Sequence, residues 1–139
     1  MLIYEDANIP FEPGLYFFSG PFGIYDLDEM ENYLNQYDPN DAEDHKHLAK
    51  HAIDSLSWVS VMSYRHTWLA VHVLEETLND QHHNFSQYFE DDVDEYFYLP
   101  GDWEEVKNPR DFFVEILTLA KEEWKDDLEK VAQEDPTTW

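Results

Sequence analysis

The sequence predicts an α+β fold, mainly helical with four to five helices and a small N-terminal antiparallel β-hairpin or sheet. Three observations carry that expectation. Phe112, Phe113, Ile116, Leu117, Ala120, Trp124, Leu128 and Val131 recur with a helical period near 3.6. Capping signatures at Asp26, Asp38 and Asn108 stand immediately before periodic apolar runs. The N-terminal residues, by contrast, hold short β-favouring runs divided by turn chemistry.

Taken in order, Leu2 to Tyr4, Leu15 to Phe18 and Phe22 to Tyr25 are the β-favouring runs, with Ser19-Gly20-Pro21 as a turn. This reads as a hairpin over 15–25, with 2–4 available as a third strand. Asp26 is expected to cap a first helix near 27–37, with Glu29 in the reciprocal position and Leu27, Met30, Leu34 and Tyr37 on one face. Asp38-Pro39 opens a second helix, a capping side chain followed by proline at the first helical position. Its apolar face is Ala42, Ala49, Ala52, Ile53 and Leu56.

The Ser and β-branched residues between Ser55 and Ser63 weaken helix and predict a break there. A third helix then runs to about Asn79, with Val61, Met62, Trp68, Leu69 and His72 facing inward. Phe85, Phe89 and Val93 mark a short amphipathic helix capped by Asn84 or Ser86. Tyr96 to Leu99 reads as extended, ending at Pro100-Gly101 and suited to joining the N-terminal hairpin. Asn108 caps and Pro109 opens one long final helix that ends before Pro136. Neither an internal repeat nor a linker divides the chain, so a single acidic domain over 1–139 is expected.

Composition narrows the function classes. The 139 residues carry a formal net charge of −24, from 32 acidic and 8 basic side chains. Binding to nucleic acid or anionic lipid is therefore disfavoured. High charge alone would suggest disorder, but 42% hydrophobic and 17% aromatic residues are enough to build a core. The absence of Cys removes disulfides, thiolate metal sites and thiol nucleophiles, and fits a reducing compartment. Because the first residues lack a basic start and a long apolar run, the expected location is the cytoplasm, that of a host cell if the gene is phage-borne.

The placement of charge says more than its total. No Lys or Arg occurs from Met1 to His45, nor from His66 to Val106. Within the second gap, Tyr88, Glu90, Asp91, Asp92, Asp94, Glu95, Tyr96, Tyr98, Asp102, Trp103, Glu104 and Glu105 mix carboxylates with rings, and Tyr88, Tyr96, Tyr98 and Trp103 are expected to be exposed. On the final helix, Glu115, Glu122, Asp126 and Glu129 fall on the face opposite the apolar stripe, a ladder about 21 Å long. Both sets are candidate partner-binding residues. Duplex DNA carries one charge per about 1.7 Å, so 24 charges match roughly 40 Å of it. A chain of this length has a radius of gyration of about 14 Å, so its charge per unit length rivals that of the duplex. A charge run is more often a solvated face. Here the unpaired clusters together with aromatic rings, which anchor interfaces, tilt the reading toward recognition.

Catalytic constellations are weak. Asp44, His47 and His51 share a helical face and form the metal candidate, but they lack an HExxH pattern. Asp91, Asp92 and Asp94 resemble a calcium loop, yet the sixth position from Asp91 is Tyr96 and from Asp92 is Phe97, where an EF-hand needs Gly. There is no nucleophile elbow or phosphate-binding glycine loop. No catalytic residue and no cofactor is expected.

In composition the chain resembles the small acidic proteins of phages and mobile elements that imitate nucleic acid and block restriction or CRISPR enzymes. That resemblance in kind implies a non-enzymatic inhibitor occupying the basic channel of a nucleic-acid-binding protein or nuclease. An immunity protein neutralising a nuclease toxin uses the same physics. Alternatives of other classes are a metal-dependent helical enzyme using His47 and His51, and a self-associating virion protein. A homodimer is compatible with the sequence.

Overall fold

Six α-helices and one two-stranded antiparallel sheet make up the regular structure among the described residues of the computed structural model, which are 2–4, 7–57, 63–92, 94, 96–101, 103 and 105–139. Among them no helix is long and apolar enough to cross a membrane.

The mainly helical class with a small N-terminal antiparallel sheet is observed, but the hairpin uses different residues. Strand β1 (Ile3–Tyr4) pairs with β2 (Ile9–Pro10), Ile3 opposite Pro10 and Tyr4 opposite Ile9. Asn8 closes the turn in the left-handed region at φ 51°, a conformation its short polar side chain tolerates. The expected hairpin over 15–25 is helical instead: α1 (Tyr16–Ser19) runs into a 3-10 turn, Gly20–Phe22. Leu15, Phe18 and Phe22 lie three and four apart and are all buried, so helical spacing overrides the β preference of the rings. Pro21 sits at the start of that turn, where its missing N–H costs nothing.

Helix α2 (Asp28–Leu34) is shorter than expected, and Asp26 does not cap it. Asp26 takes φ 56° and Leu27 occupies the cap position, while Asp28, Glu29 and Glu31 complement the dipole of the first turn. Helix α3 (Ala42–Ser57) begins three residues after the expected proline. Pro39 is buried and its carbonyl accepts from the His45 ring, which holds it outside the helix. Asp41 Oδ1 then takes the Glu43 N–H at 2.8 Å. Leu48, Ala49, Ala52, Ile53 and Leu56 are buried, as the periodicity requires, whereas Ala42 is exposed.

The expected break is present: α3 ends at Ser57 and Ser63 caps α4 (Tyr64–Leu78). Ser55 and Ser57 hydroxyls donate back to His51 O and Ile53 O at 2.7 and 2.8 Å, the local competition that weakens helix ends. Val61 and Met62 lie outside the described residues. The buried face of α4 is His66, Thr67, Ala70, Val71, Leu74 and Leu78; Trp68, Leu69 and His72 are only partly covered. That face packs against the two later helices.

The short helix expected near 85–93 is a 3-10 helix, Ser86–Phe89, with Asn84 Oδ1 accepting from Ser86 N at 3.1 Å; Val93 lies outside the described residues. Tyr96 to Leu99 does not join the N-terminal sheet. Phe97 forms an isolated antiparallel bridge with Asp92, and Tyr98 O accepts from Ile24 N at 2.8 Å.

The final helix is two helices, α5 (Pro109–Glu123) and α6 (Lys125–Val131). Trp124 leaves helical geometry at φ −106° and ψ 21°. Its indole donates to Ser57 Oγ at 3.2 Å, so this large side chain is seated at the α3 terminus. With the axis broken there, α4 packs against both α5 and α6, and α3 packs against α5. Phe22, Phe89, Phe112 and Phe113 fill the centre, Phe89 lying 5.0 Å from Phe112 and 5.4 Å from Phe113 between ring centroids.

Candidate acidic and aromatic interface

The two stretches devoid of Lys and Arg, 1–45 and 66–106, are folded against each other. Ile24 N donates to Tyr98 O at 2.8 Å, Gly101 N to Glu31 Oε2 at 2.8 Å, and the Trp103 indole to Leu34 O at 3.1 Å. Asn40 Nδ2 donates to Glu105 O at 2.8 Å, and Tyr16 donates its hydroxyl to Gln87 O at 3.0 Å. One side of the molecule thereby joins α2 to the 90–105 segment. Lys107, whose N–H donates to Asn40 Oδ1 at 2.8 Å, marks its border.

Three tyrosines meet on this surface. The Tyr25 ring lies 5.9 Å from Tyr98, nearly parallel at 22°, and 5.1 Å from Tyr96 at 50°. Tyr25 is 48% and Tyr96 63% exposed, and Leu27, two residues on from Tyr25, is 49% exposed. Tyr96 is held at φ 54°, an outlying conformation for a bulky side chain. The paired hydrogen bonds between Asp92 and Phe97, 2.8 and 3.0 Å, impose it by closing the chain around Tyr96. Conformations of this kind cost about 1–3 kcal/mol and concentrate at functional positions.

The expected site residues divide. Glu90, Asp91, Asp94, Tyr96 and Glu105 are exposed on this surface, and Asp92 and Tyr98 are half-buried within it. Asp91 Oδ1 accepts from Leu99 N at 2.9 Å and Asp92 Oδ1 from Asp94 N at 3.2 Å, so two of the acids also shape the loop. Tyr88 was expected at the surface but is 7% exposed, packed 5.6 Å from Phe113 with its hydroxyl 2.6 Å from His83 Nε2. Trp103 is likewise turned inward, 5.7 Å from Phe22. Rings suited to an interface are equally suited to a core, and these two are nearer the apolar centre. Glu95, Asp102 and Glu104 lie outside the described residues. Tyr25, Asp26, Asp28 and Glu29 share the surface without having been picked out from the sequence. The signal for them was the first Lys- and Arg-free stretch, which carries no aromatic-acid alternation as dense as the second.

Helix α5 and helix α6 present their acids differently. Glu115 and Glu122 line a groove with Lys46, Ala49, Thr118 and Leu119, and Glu129 pairs with Lys125 at 3.8 Å. The break at Trp124 separates Glu115 and Glu122 from Asp126 and Glu129, so the single straight ladder is not formed. Elsewhere Lys46 pairs with Glu43, Lys50 with Asp54, Arg65 with Glu134 and Lys121 with Glu75. Among the described residues no salt bridge involves Asp26, Asp28, Glu29, Glu90, Asp91 or Asp94. The charges of this side reach the Tyr16 phenol. Burial, then the charges of Asp92 and Glu90, hold the Tyr16 hydroxyl above its usual range, and burial does the same for Tyr88.

Asp44, His47 and His51 are engaged separately. Asp44 accepts from Asp38 N at 2.9 Å, His47 stacks 5.2 Å from Tyr37, and His51 Nε2 donates to Pro21 O at 2.9 Å. Among the described residues no three carboxylate or imidazole groups converge as a metal would require. No protein-family model matches the chain, and comparison with curated proteins and with solved structures returns no match.

Proposed function

We propose that this chain is a non-enzymatic inhibitor that imitates nucleic acid, occupying the Lys- and Arg-lined channel of a nucleic-acid-binding protein, of the kind found in restriction or CRISPR systems. The observation that carries the reading is that the two cation-free stretches are bonded to each other and bring exposed acids and exposed rings together. Acids held without ionic partners repel one another and lower stability, so their concentration on one side is best explained by an external cationic surface. Opposite fields make association fast and salt-sensitive, and buried rings supply the holding contacts.

The test is capture of nucleic-acid enzymes on the immobilised protein, with elution by a salt gradient and displacement by duplex DNA. Release at moderate salt and by DNA is expected; retention near molar salt would mean an apolar contact and defeat the proposal. Replacing Glu90, Asp91, Asp92, Asp94 and Glu95 with Gln or Asn should abolish capture while thermal stability is kept or raised. The Asn side chains retain the Oδ1 acceptors that Leu99 N and Asp94 N use. A captured nuclease toxin would make the chain an immunity protein acting through the same surface.

A further inference from the structure

We propose that the Tyr25, Tyr96 and Tyr98 group is the contact centre of the acidic side and receives an arginine guanidinium from the partner protein. The inference rests on the preceding reading only in taking the occupant to be a cationic protein. Its own basis is the arrangement of rings. Tyr25 is fixed beside Tyr98 by the Ile24 N to Tyr98 O bond, and Tyr96 is projected by the Asp92–Phe97 bridge. Tyr25 and Tyr96 are exposed over the half-buried Tyr98, and Leu27, two residues on from Tyr25, is exposed as well.

Charge complementarity selects the occupant. Asp26 and Asp28 follow Tyr25 in the chain, Asp94 precedes Tyr96, and no Lys or Arg salt bridge reaches any of the three among the described residues. An anionic ligand is repelled here, and a neutral apolar one would leave these carboxylates desolvated and unpaired. A cation placed over a tyrosine face satisfies both the rings and the rim. Between the two cationic side chains, the planar guanidinium stacks on a ring while donating hydrogen bonds at its edge to carboxylates. The compact, strongly hydrated ammonium of lysine does this less well. The same chain already uses the contact: Arg65 lies 5.1 Å from the Trp139 ring while bonded to Glu134.

The experiment compares dye-labelled nona-arginine and nona-lysine peptides by fluorescence anisotropy at equal ionic strength. Wild-type protein should bind the arginine peptide more tightly by about two- to fivefold, the factor that one exposed cation–π contact provides. The Tyr25→Leu/Tyr96→Leu variant should bring the ratio near one, with both peptides still held by charge. Glu90→Gln/Asp91→Asn, which leaves Asp26, Asp28 and Asp94 in place, should weaken both peptides and keep the ratio. Equal affinities for wild type, or a preference that survives loss of both rings, would overturn the proposal. If the leucine variant fails to fold, ring proton shifts of Tyr25, Tyr96 and Tyr98 in the wild type decide: movement with the arginine peptide supports it, and no movement overturns it. Ring shifts that depend on protein concentration without peptide would assign the patch to a second copy of this chain and also overturn it. The inhibitor reading is judged by displacement with duplex DNA and so stands or falls separately from this ratio.

Discussion

Gly23 shows how closely the tyrosine surface is tied to the core at the level of single residues. A Cβ added there would come within 2.9 Å of Phe97 Cδ2 and 3.2 Å of Gly20 O. Its φ of −71° is open to any residue, so the constraint is space and not backbone conformation. Gly23→Ala should therefore destabilise by about 1–3 kcal/mol, the range for overpacking, read as a lower urea midpoint with an unchanged slope. Coupling it to Phe97→Leu should recover part of the loss, and no recovery would place the clash elsewhere. His66 is a second residue whose part only the folded chain reveals. It closes the Ser63 capping box through Nδ1 and donates Nε2–H to Ile3 O at 2.7 Å, so the N-terminal sheet is bonded to the start of α4.

Among the elements, the segment that follows α6 is tied to α4 by a polar contact that responds to pH. Arg65 on α4 donates to Glu134 Oε1 through Nε at 2.9 Å and Nη2 at 2.5 Å. The Tyr64 hydroxyl and the Arg65 guanidinium hold the Glu134 carboxyl below the usual glutamate range, with burial opposing them. A carboxylate of lowered pKa adds stability that is complete above its unfolded value, about 4.3, and is lost as pH falls through the depressed folded value. Glu134→Gln should thus destabilise at pH 7 and make little difference in strong acid, by urea melts at both. An equal deficit at both pH values would show that the contact acts through packing. The division between α5 and α6 arises at Trp124, whose ring lies 6.5 Å from Phe18. Nothing in the local sequence, which lacks Gly and Pro there, signals that break; the tertiary seat of the indole determines it.

For the molecule as a whole, −24 charges on 139 residues set two salt responses of opposite sign. Screening relieves self-repulsion, so the melting temperature should rise between low and physiological ionic strength. A shift of about 4 °C corresponds to roughly 1 kcal/mol of relieved repulsion in a chain of this length. Partner affinity should fall over the same range, since its steering is screened too. Differential scanning calorimetry and binding titrations across one salt series check the pair. A melting temperature that falls with salt would mean that the native ion pairs outweigh the repulsion.

By itself the sequence determined the mainly helical class, the apolar faces of α3 and α5, the break before α4, and the two stretches without cations. Those properties follow from local spacing, capping and composition. Only the tertiary structure decided that the two stretches adjoin, that Tyr88 and Trp103 turn inward while Tyr25 and Tyr96 stay out, and that Leu15 to Phe22 is helical. Aromatic side chains serve cores and interfaces equally well, so which of them are covered depends on non-local packing that periodicity along the chain does not encode.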